Sequence, residues 1–145
     1  MTDKKGYQAF CKEIMTLSNL DHINIIKLVG YTLDPCLLII MEFVGGGTLA
    51  SFVKAQDFSD PPSPESLTRI LIGCAEGMEY LHGREPMPIL HRDMKSENIL
   101  LTKELEARIA DLGEARTLSK DRAMTIVGSN GYTAPEVLRG EQYVI

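Results

Sequence analysis

Three features of this 145-residue sequence predict an α+β fold. Two segments carry apolar residues at helical spacing, two short runs are rich in β-forming residues, and glycine- or proline-rich stretches separate them. The apolar share of 44% is ordinary for a globular chain and excludes a mainly disordered one. The length lies in the single-domain range. The expected order is helix, two strands, two helices, short strands and a long loop.

Tyr7, Phe10, Ile14, Leu17 and Leu20 recur at helical spacing and predict an amphipathic helix from Tyr7 to Leu20, ending before Asp21-His22-Ile23-Asn24. Ile25 to Tyr31 and Cys36 to Val44 read as a hairpin joined by Thr32-Leu33-Asp34-Pro35. Gly45-Gly46-Gly47 then releases the chain, and Thr48 is placed to cap a short helix from Leu49 to about Ala55. Pro61, Pro62 and Pro64 make residues 57–64 a loop, and Ser63-Pro64 is a good helix start. The helix it opens carries Leu67, Ile70, Leu71, Cys74, Met78 and Leu81 as its expected buried face, and Gly83 and Pro86 end it. Asn98–Leu101 and Arg108–Ala110 are apolar but too short for helices, and the polar run Arg116–Arg122 is expected to be mobile.

Charge and composition narrow the function. A net charge of −5 with no basic block argues against a binder of phosphate backbones, so no nucleic-acid partner is expected. No stretch approaches the ~18–20 apolar residues of a spanning helix, the longest run being Cys36 to Met41, so no membrane segment is expected. The opening MTDKKGYQAF has no apolar core of a secretory signal. Cys11, Cys36 and Cys74 are odd in number and lack metal-ligand spacing, and read as buried thiols in a reducing, cytoplasmic compartment.

The chemistry concentrates in His91-Arg92-Asp93-Met94-Lys95-Ser96-Glu97-Asn98, followed by Ile99-Leu100-Leu101, then Asp111-Leu112-Gly113 and Ala134-Pro135-Glu136. Singly these residues read blandly: Asp93 beside Arg92 as a surface ion pair, Asn98 as a turn residue, Gly113 as a loop glycine, His91 as a packed core side chain. Together they resemble the eukaryotic protein kinase family, whose signature set is H-R-D-L-x-x-x-N, D-F-G and A-P-E. Fixing eight or nine residue types by chance, at ~5% each, is roughly a 10⁻¹¹ event. Leu112 and Met94 depart mildly from the pattern, apolar for apolar.

The resemblance implies a partial protein-kinase-like fold, ATP and Mg²⁺ as cofactors, and a protein substrate with a Ser/Thr acceptor. Phosphoryl transfer needs a carboxylate at the acceptor, metal between the phosphates and positive charge on the transferring oxygens. Asp93, flanked by Arg92 and Lys95, is the candidate to accept the hydroxyl proton. Asn98 and Asp111 offer the hard oxygens Mg²⁺ prefers and match the family's metal ligands. Lys95 is placed to neutralise the γ-phosphate, and a lysine there is typical of Ser/Thr-directed kinases. His91 stays structural on this reading.

Upstream, Phe10-Cys11-Lys12-Glu13 and Leu20 to Ile26 are similar to the family's C helix and the loop after it, which makes Glu13 the acid that pairs with the ATP-anchoring lysine. Met41-Glu42-Phe43-Val44 is similar to the gatekeeper and hinge. There the backbones of Glu42 and Val44 would bond adenine, Met41 would narrow the pocket behind it, and Leu100 would floor it. Leu17, Leu28, His91 and Leu112 match the family's regulatory stack. Residues 111–136 resemble an activation segment, with Thr125 at the activating phosphate position and Arg92 as its partner. Ser129 and Tyr132 resemble the substrate-docking stretch, and the Ser129 hydroxyl again fits Ser/Thr specificity.

Six residues before Tyr7 leave no room for the family's Gly-rich loop and lysine-bearing strand, and nine after Glu136 leave none for its later helices. The sequence is therefore expected to be an excerpt, a partial kinase domain over 1–145, with a small-lobe remnant and hinge at 1–44 and a large-lobe part at 45–145. Leu28 to Tyr31 and Glu42 to Leu49 follow the style of the tyrosine-kinase-like group of Ser/Thr kinases. The alternatives are a non-catalytic kinase-like binding or regulatory module, an inactive fragment, and a tyrosine-specific kinase, which Lys95 and Ser129 disfavour.

Overall fold

A computed structural model describes residues 4–56, 59, 61–117, 128–129 and 131–141. The first helix, α1 (Lys4–Leu17), buries Phe10 and Leu17. It stops three residues before the predicted end. Ser18 Oγ and Asn19 Nδ2 both bond back to the Met15 carbonyl, at 3.3 and 2.7 Å, side-chain bonds that compete with helical ones. Leu20 still reaches the core from the turn that follows.

The predicted hairpin forms from β1 (Leu28–Thr32) and β2 (Leu38–Met41), antiparallel, with an irregularity in register between Leu28 and Gly30. Cys36 lies exposed in its connecting loop, and Cys11 and Cys74 are only half-buried, which corrects the expectation of three buried thiols. Cys36 is exposed because the loop turns away from the core, its carbonyl accepting the Thr32 hydroxyl at 2.7 Å. Thr48 caps α2 (Leu49–Lys54) through a reciprocal capping box with Ser51, and Ser63 caps α3 (Pro64–His82) through the Ser66 amide. Gly83 ends α3 as predicted.

The buried face of α3 differs from the predicted one. Ile70, Gly73, Gly77 and Leu81 are buried, whereas Leu67 and Leu71 are 41% and 67% exposed. The two glycines explain the rotation. Their missing side chains let α3 settle against Asn24 and the last hairpin, a contact to which hydrophobicity gives no weight.

That hairpin pairs β4 (Ile99–Leu101) with β5 (Ala107–Ile109), Leu100 opposite Arg108. Between α3 and β4 lie β3 (Ile89–Leu90) and a 3₁₀ turn, Ser96–Asn98. Arg116 and Thr117, inside the run expected to be mobile, form β6 and pair antiparallel with β3, so that expectation is corrected at these two residues. Residues 118–122 of that run lie outside the described residues. A short helix, α4 (Pro135–Leu138), follows.

One core cluster gathers Leu17, Leu20, Ile25, Ile26, Leu81, Ile109, Ala110, Leu112 and Ala115, with Leu28, Val44 and Leu100 packed against it. It joins residues on both sides of position 44. A second gathers Ile70, Ile99, Leu101 and Ala107 under α2. The segment before β1 is tied to β5 by Ile26 N to the Ile109 carbonyl and Ile109 N to the Asn24 carbonyl, each 2.8 Å. These ties fix β5, and β5 leads directly to Asp111. Among the described residues no helix is long and apolar enough to cross a membrane.

Candidate active site

The loop from His91 to Asn98 is folded around its own carboxylate. Asp93 Oδ2 accepts from Lys95 Nζ at 2.7 Å and from Asn98 Nδ2 at 3.1 Å. Asn98 Nδ2 also bonds the Asp93 carbonyl at 2.9 Å, and the 3₁₀ turn closes through Asn98 N to the Lys95 carbonyl at 3.0 Å. Asp93 Oδ1 accepts from the Ser129 hydroxyl at 2.7 Å, while Lys95 Nζ donates to that hydroxyl at 2.8 Å. Burial alone would raise the Asp93 pKa. The hydrogen bonds from Lys95, Ser129 and Asn98, with the Lys95 charge, outweigh it and hold the carboxyl below its ordinary value. The hydrogen bond to Asp93 pushes the Lys95 ammonium up, the reciprocal effect.

His91 is buried to 1% exposure behind this loop. Its Nε2 lies 3.0 Å from the Ala110 carbonyl, and its Nδ1 accepts the Asp93 amide at 3.3 Å. Burial pushes its pKa down, against the opposing hydrogen bond to Ala110. The Arg92 side chain folds inward and gives Nε and Nη2 to the Glu114 carbonyl at 2.8 and 2.6 Å. Its buried Nη1 has no partner among the described residues.

Asp111 is exposed, at φ +59°, just past the first core cluster. Its Oδ1 and the Glu13 carboxylate converge on Gly113, 3.4 and 3.9 Å from where a Cβ there would stand. Burial and then the nearby Asp111 charge raise the Glu13 pKa, and no ion pair reaches Glu13 among the described residues. Its neighbour Lys12 instead donates to the Gly113 carbonyl at 3.1 Å.

Met41 ends β2 and is 41% exposed. The Glu42 amide is committed to the Lys27 carbonyl at 2.9 Å, whereas Val44 has no hydrogen bond among the described residues. Val44 and Leu100 both pack on the first core cluster, and Leu100 bridges to Thr48 across the glycine run. Of the expected stack, Leu17, Leu28 and Leu112 share that cluster, with His91 bonded to its Ala110. Thr125 lies outside the described residues.

The sequence-predicted residues thus fall into three groups: Asp93, Lys95 and Asn98 in mutual contact, Glu13 with Asp111 at Gly113, and Met41 to Val44 with Leu100 beside the hairpin. Sequence reasoning marked Ser129 for its hydroxyl but not as a partner of Asp93, and it missed the contact of Lys12 with Gly113. These pairs are separated by 36 and 101 positions, so no local pattern connects them.

Residues 1–145 match the family model described as the protein kinase domain. LysM domain receptor-like kinase 10 of Oryza sativa subsp. japonica is 35% identical over 146 residues, which covers 95% of this chain and 24% of the relative. A probable serine/threonine-protein kinase of Dictyostelium discoideum is 37% identical over 140 residues, 94% of this chain and 10% of the relative. Cysteine-rich receptor-like protein kinase 42 of Arabidopsis thaliana is 37% identical over 139 residues, 92% of this chain and 21% of the relative. The chain therefore spans a quarter or less of these relatives. With its signature loop folded around Asp93 and the family model matched from end to end, this chain belongs to the protein kinase family.

Proposed function

We propose that this domain serves a protein serine/threonine kinase, transferring the γ-phosphate of ATP to a protein hydroxyl. The observation that carries the reading is the Asp93 carboxylate, ionised and oriented by Lys95, Asn98 and Ser129. Asp93 accepts the acceptor's proton through Oδ1, whose protein contact is a hydroxyl of the acceptor's own kind. Lys95 brings positive charge beside it for the transferring oxygens. Names of relatives that carry "serine/threonine-protein kinase" support the same substrate class. The style of residues 28–31 and 42–49 favours the tyrosine-kinase-like group.

The side chains fit the two cofactors. With its nitrogen committed to Asp93, Asn98 keeps a carboxamide oxygen, and exposed Asp111 adds a carboxylate. Two hard oxygens suit Mg²⁺, which takes one or two side chains and completes its shell from phosphates and water. Among the described residues nothing bonds the Val44 amide or carbonyl, which leaves them for an adenine edge, and Leu100 and Met41 offer apolar surface. Bound Mg²⁺-ATP would supply the phosphoryl group and positive charge to offset its phosphates, with Asn98 and Asp111 holding the metal. One guanidinium nitrogen of Arg92, buried and without a partner among the described residues, is the group offered to a phosphate on Thr125. Three free thiols suit a cytoplasmic position, alone or within a larger protein.

Asp93→Asn in the full-length protein should lose nearly all transfer while ATP binding persists. Retained turnover would refute the role of Asp93. A second reading, a non-catalytic regulatory module, draws on one observation: Glu13 makes no ion pair among the described residues, the neighbouring Lys12 charge acting on it only weakly. Titration with Mg²⁺-ATP separates the two, since the module neither binds it nor autophosphorylates.

A further inference from the structure

The segment leading into α4 touches loop 91–98 at two places. One is the Ser129 hydroxyl on Asp93 and Lys95. The other lies beyond the machinery described so far. The Tyr132 hydroxyl stands 3.1 Å from Ser96 Oγ, which also donates to Glu97 Oε2 at 3.3 Å. The two contacts are coupled through the backbone, because Tyr132 N and the Thr133 hydroxyl both donate to the Ser129 carbonyl at 3.1 Å. Ser129 is therefore held by its side chain from one direction and by its carbonyl from the other. The Tyr132 ring is 55% exposed, and Gly131 before it, at φ +88°, has open space where a side chain would stand. On such an open surface the hydroxyl pair is a second fastening of the turn to the loop.

We propose that the Ser96–Tyr132 hydroxyl pair is a positioning contact for the phosphoacceptor, resting on the kinase reading above: it holds the turn that sets Ser129 on Asp93. Among the described residues Asp93 Oδ2 accepts two bonds, from Lys95 and Asn98, whereas Oδ1 accepts one, from the Ser129 hydroxyl. An ionised carboxylate oxygen can accept two, so the acceptor hydroxyl must enter at Oδ1 beside Ser129. A displacement of Ser129 by about an ångström changes the room at that oxygen, and transfer is sensitive to misplacement on this scale. Tyr132 and Ser96 touch no reacting atom. They act through Ser129.

The test uses full-length protein carrying Tyr132→Phe, Ser96→Ala, both together, and Ser96→Thr. Each deletion should raise the KM for a peptide acceptor about three- to tenfold, the range one lost hydrogen bond gives, with the KM for ATP unchanged. The double variant should lose no more than either single one, and Ser96→Thr should behave as wild type. Amide hydrogen exchange should quicken at Tyr132 and not in α3. A wild-type acceptor KM in Tyr132→Phe, an additive double variant, or unchanged exchange at Tyr132 would each overturn the positioning role. If wild-type protein transfers phosphate and the variants match it, only this inference falls. If wild-type protein transfers none, the kinase reading falls and takes the inference with it.

Discussion

Gly77→Ala sets helix propensity against packing, and the structure decides which wins. In an exposed helix the change would stabilise by about 1 kcal/mol. At Gly77 the added Cβ would stand 2.8 Å from Ile109 Cδ1, 3.0 Å from the Asn24 carbonyl oxygen and 3.3 Å from Asn24 Cβ. Ile109 is fully buried, and the Asn24 carbonyl accepts the Ile109 amide at 2.8 Å, so neither neighbour can retreat alone. Overpacking of this kind costs about 1–3 kcal/mol, and loosening the Asn24–Ile109 bond adds about 1 more. Set against the helix-propensity gain of about 1 kcal/mol, the net expectation is a loss of about 1–3 kcal/mol, read by urea unfolding at constant m-value. Thr68→Ala, on the exposed side of α3, should instead be neutral or slightly stabilising. Ile109→Val deletes the nearest clashing atom and should recover part of the loss in the Gly77→Ala background. A higher unfolding midpoint for Gly77→Ala, or no recovery with Ile109→Val, would refute the packing account.

Gly46→Ala should be worse, because its Cβ would meet two backbone oxygens, those of Leu101 and Thr102, at 2.5 Å each, and neither belongs to a side chain that can swing aside. A loss of about 3 kcal/mol, at the upper end of overpacking costs, is expected in urea unfolding, and on the proposed kinase reading ATP binding should weaken too. His91 gives a pH dependence. Burial lowers its folded pKa while the unfolded chain keeps about 6.5, so below pH ~6.5 the unfolded state binds the extra proton. This contribution to stability falls as pH drops through that value and levels off below the folded pKa. His91→Phe should flatten the slope in that window, and an unchanged slope of unfolding free energy against pH would count against it.

Local signals carried most of the fold. Thr48 and Ser63 announced their helices because a capping hydroxyl acts within three residues, and the hairpin followed from two β-rich runs. The buried face of α3 was misjudged because glycine is silent in any hydrophobic pattern, yet Gly73 and Gly77 are the contact itself. β6 was missed because Arg116 and Thr117 are polar and pair with β3 only through the fold. At the site, Asp93, Lys95 and Asn98 were legible as a group because a single 3₁₀ turn brings them together. The hydroxyls of Ser129 and Tyr132 were visible as types, but their partners lie 36 residues upstream and only the tertiary structure introduces them.

The backbone around the site carries strain that its contacts hold in place. Arg92 and Asp111 adopt left-handed conformations, φ +67° and +59°, a region that Asp tolerates better than most non-glycine residues and Arg does not favour. Such conformations cost on the order of 1–3 kcal/mol each and persist only where the surroundings over-determine them. Here the two strained residues are tied across at adjacent positions: His91 binds the Ala110 carbonyl, and Arg92 binds the Glu114 carbonyl with two nitrogens. Leu105, the third non-glycine residue with positive φ among the described residues, sits in the β4–β5 connection, where an ordinary tight turn accounts for it. Strain at 92 and 111 has no such local cause. It redirects the chain immediately before Asp93 and at Asp111, so that one carboxylate turns to Lys95 and Ser129 and the other to Gly113. The buried imidazole and the inward guanidinium thus hold two carboxylates in place, and they do so from the buried side of a loop whose middle stays partly open to solvent.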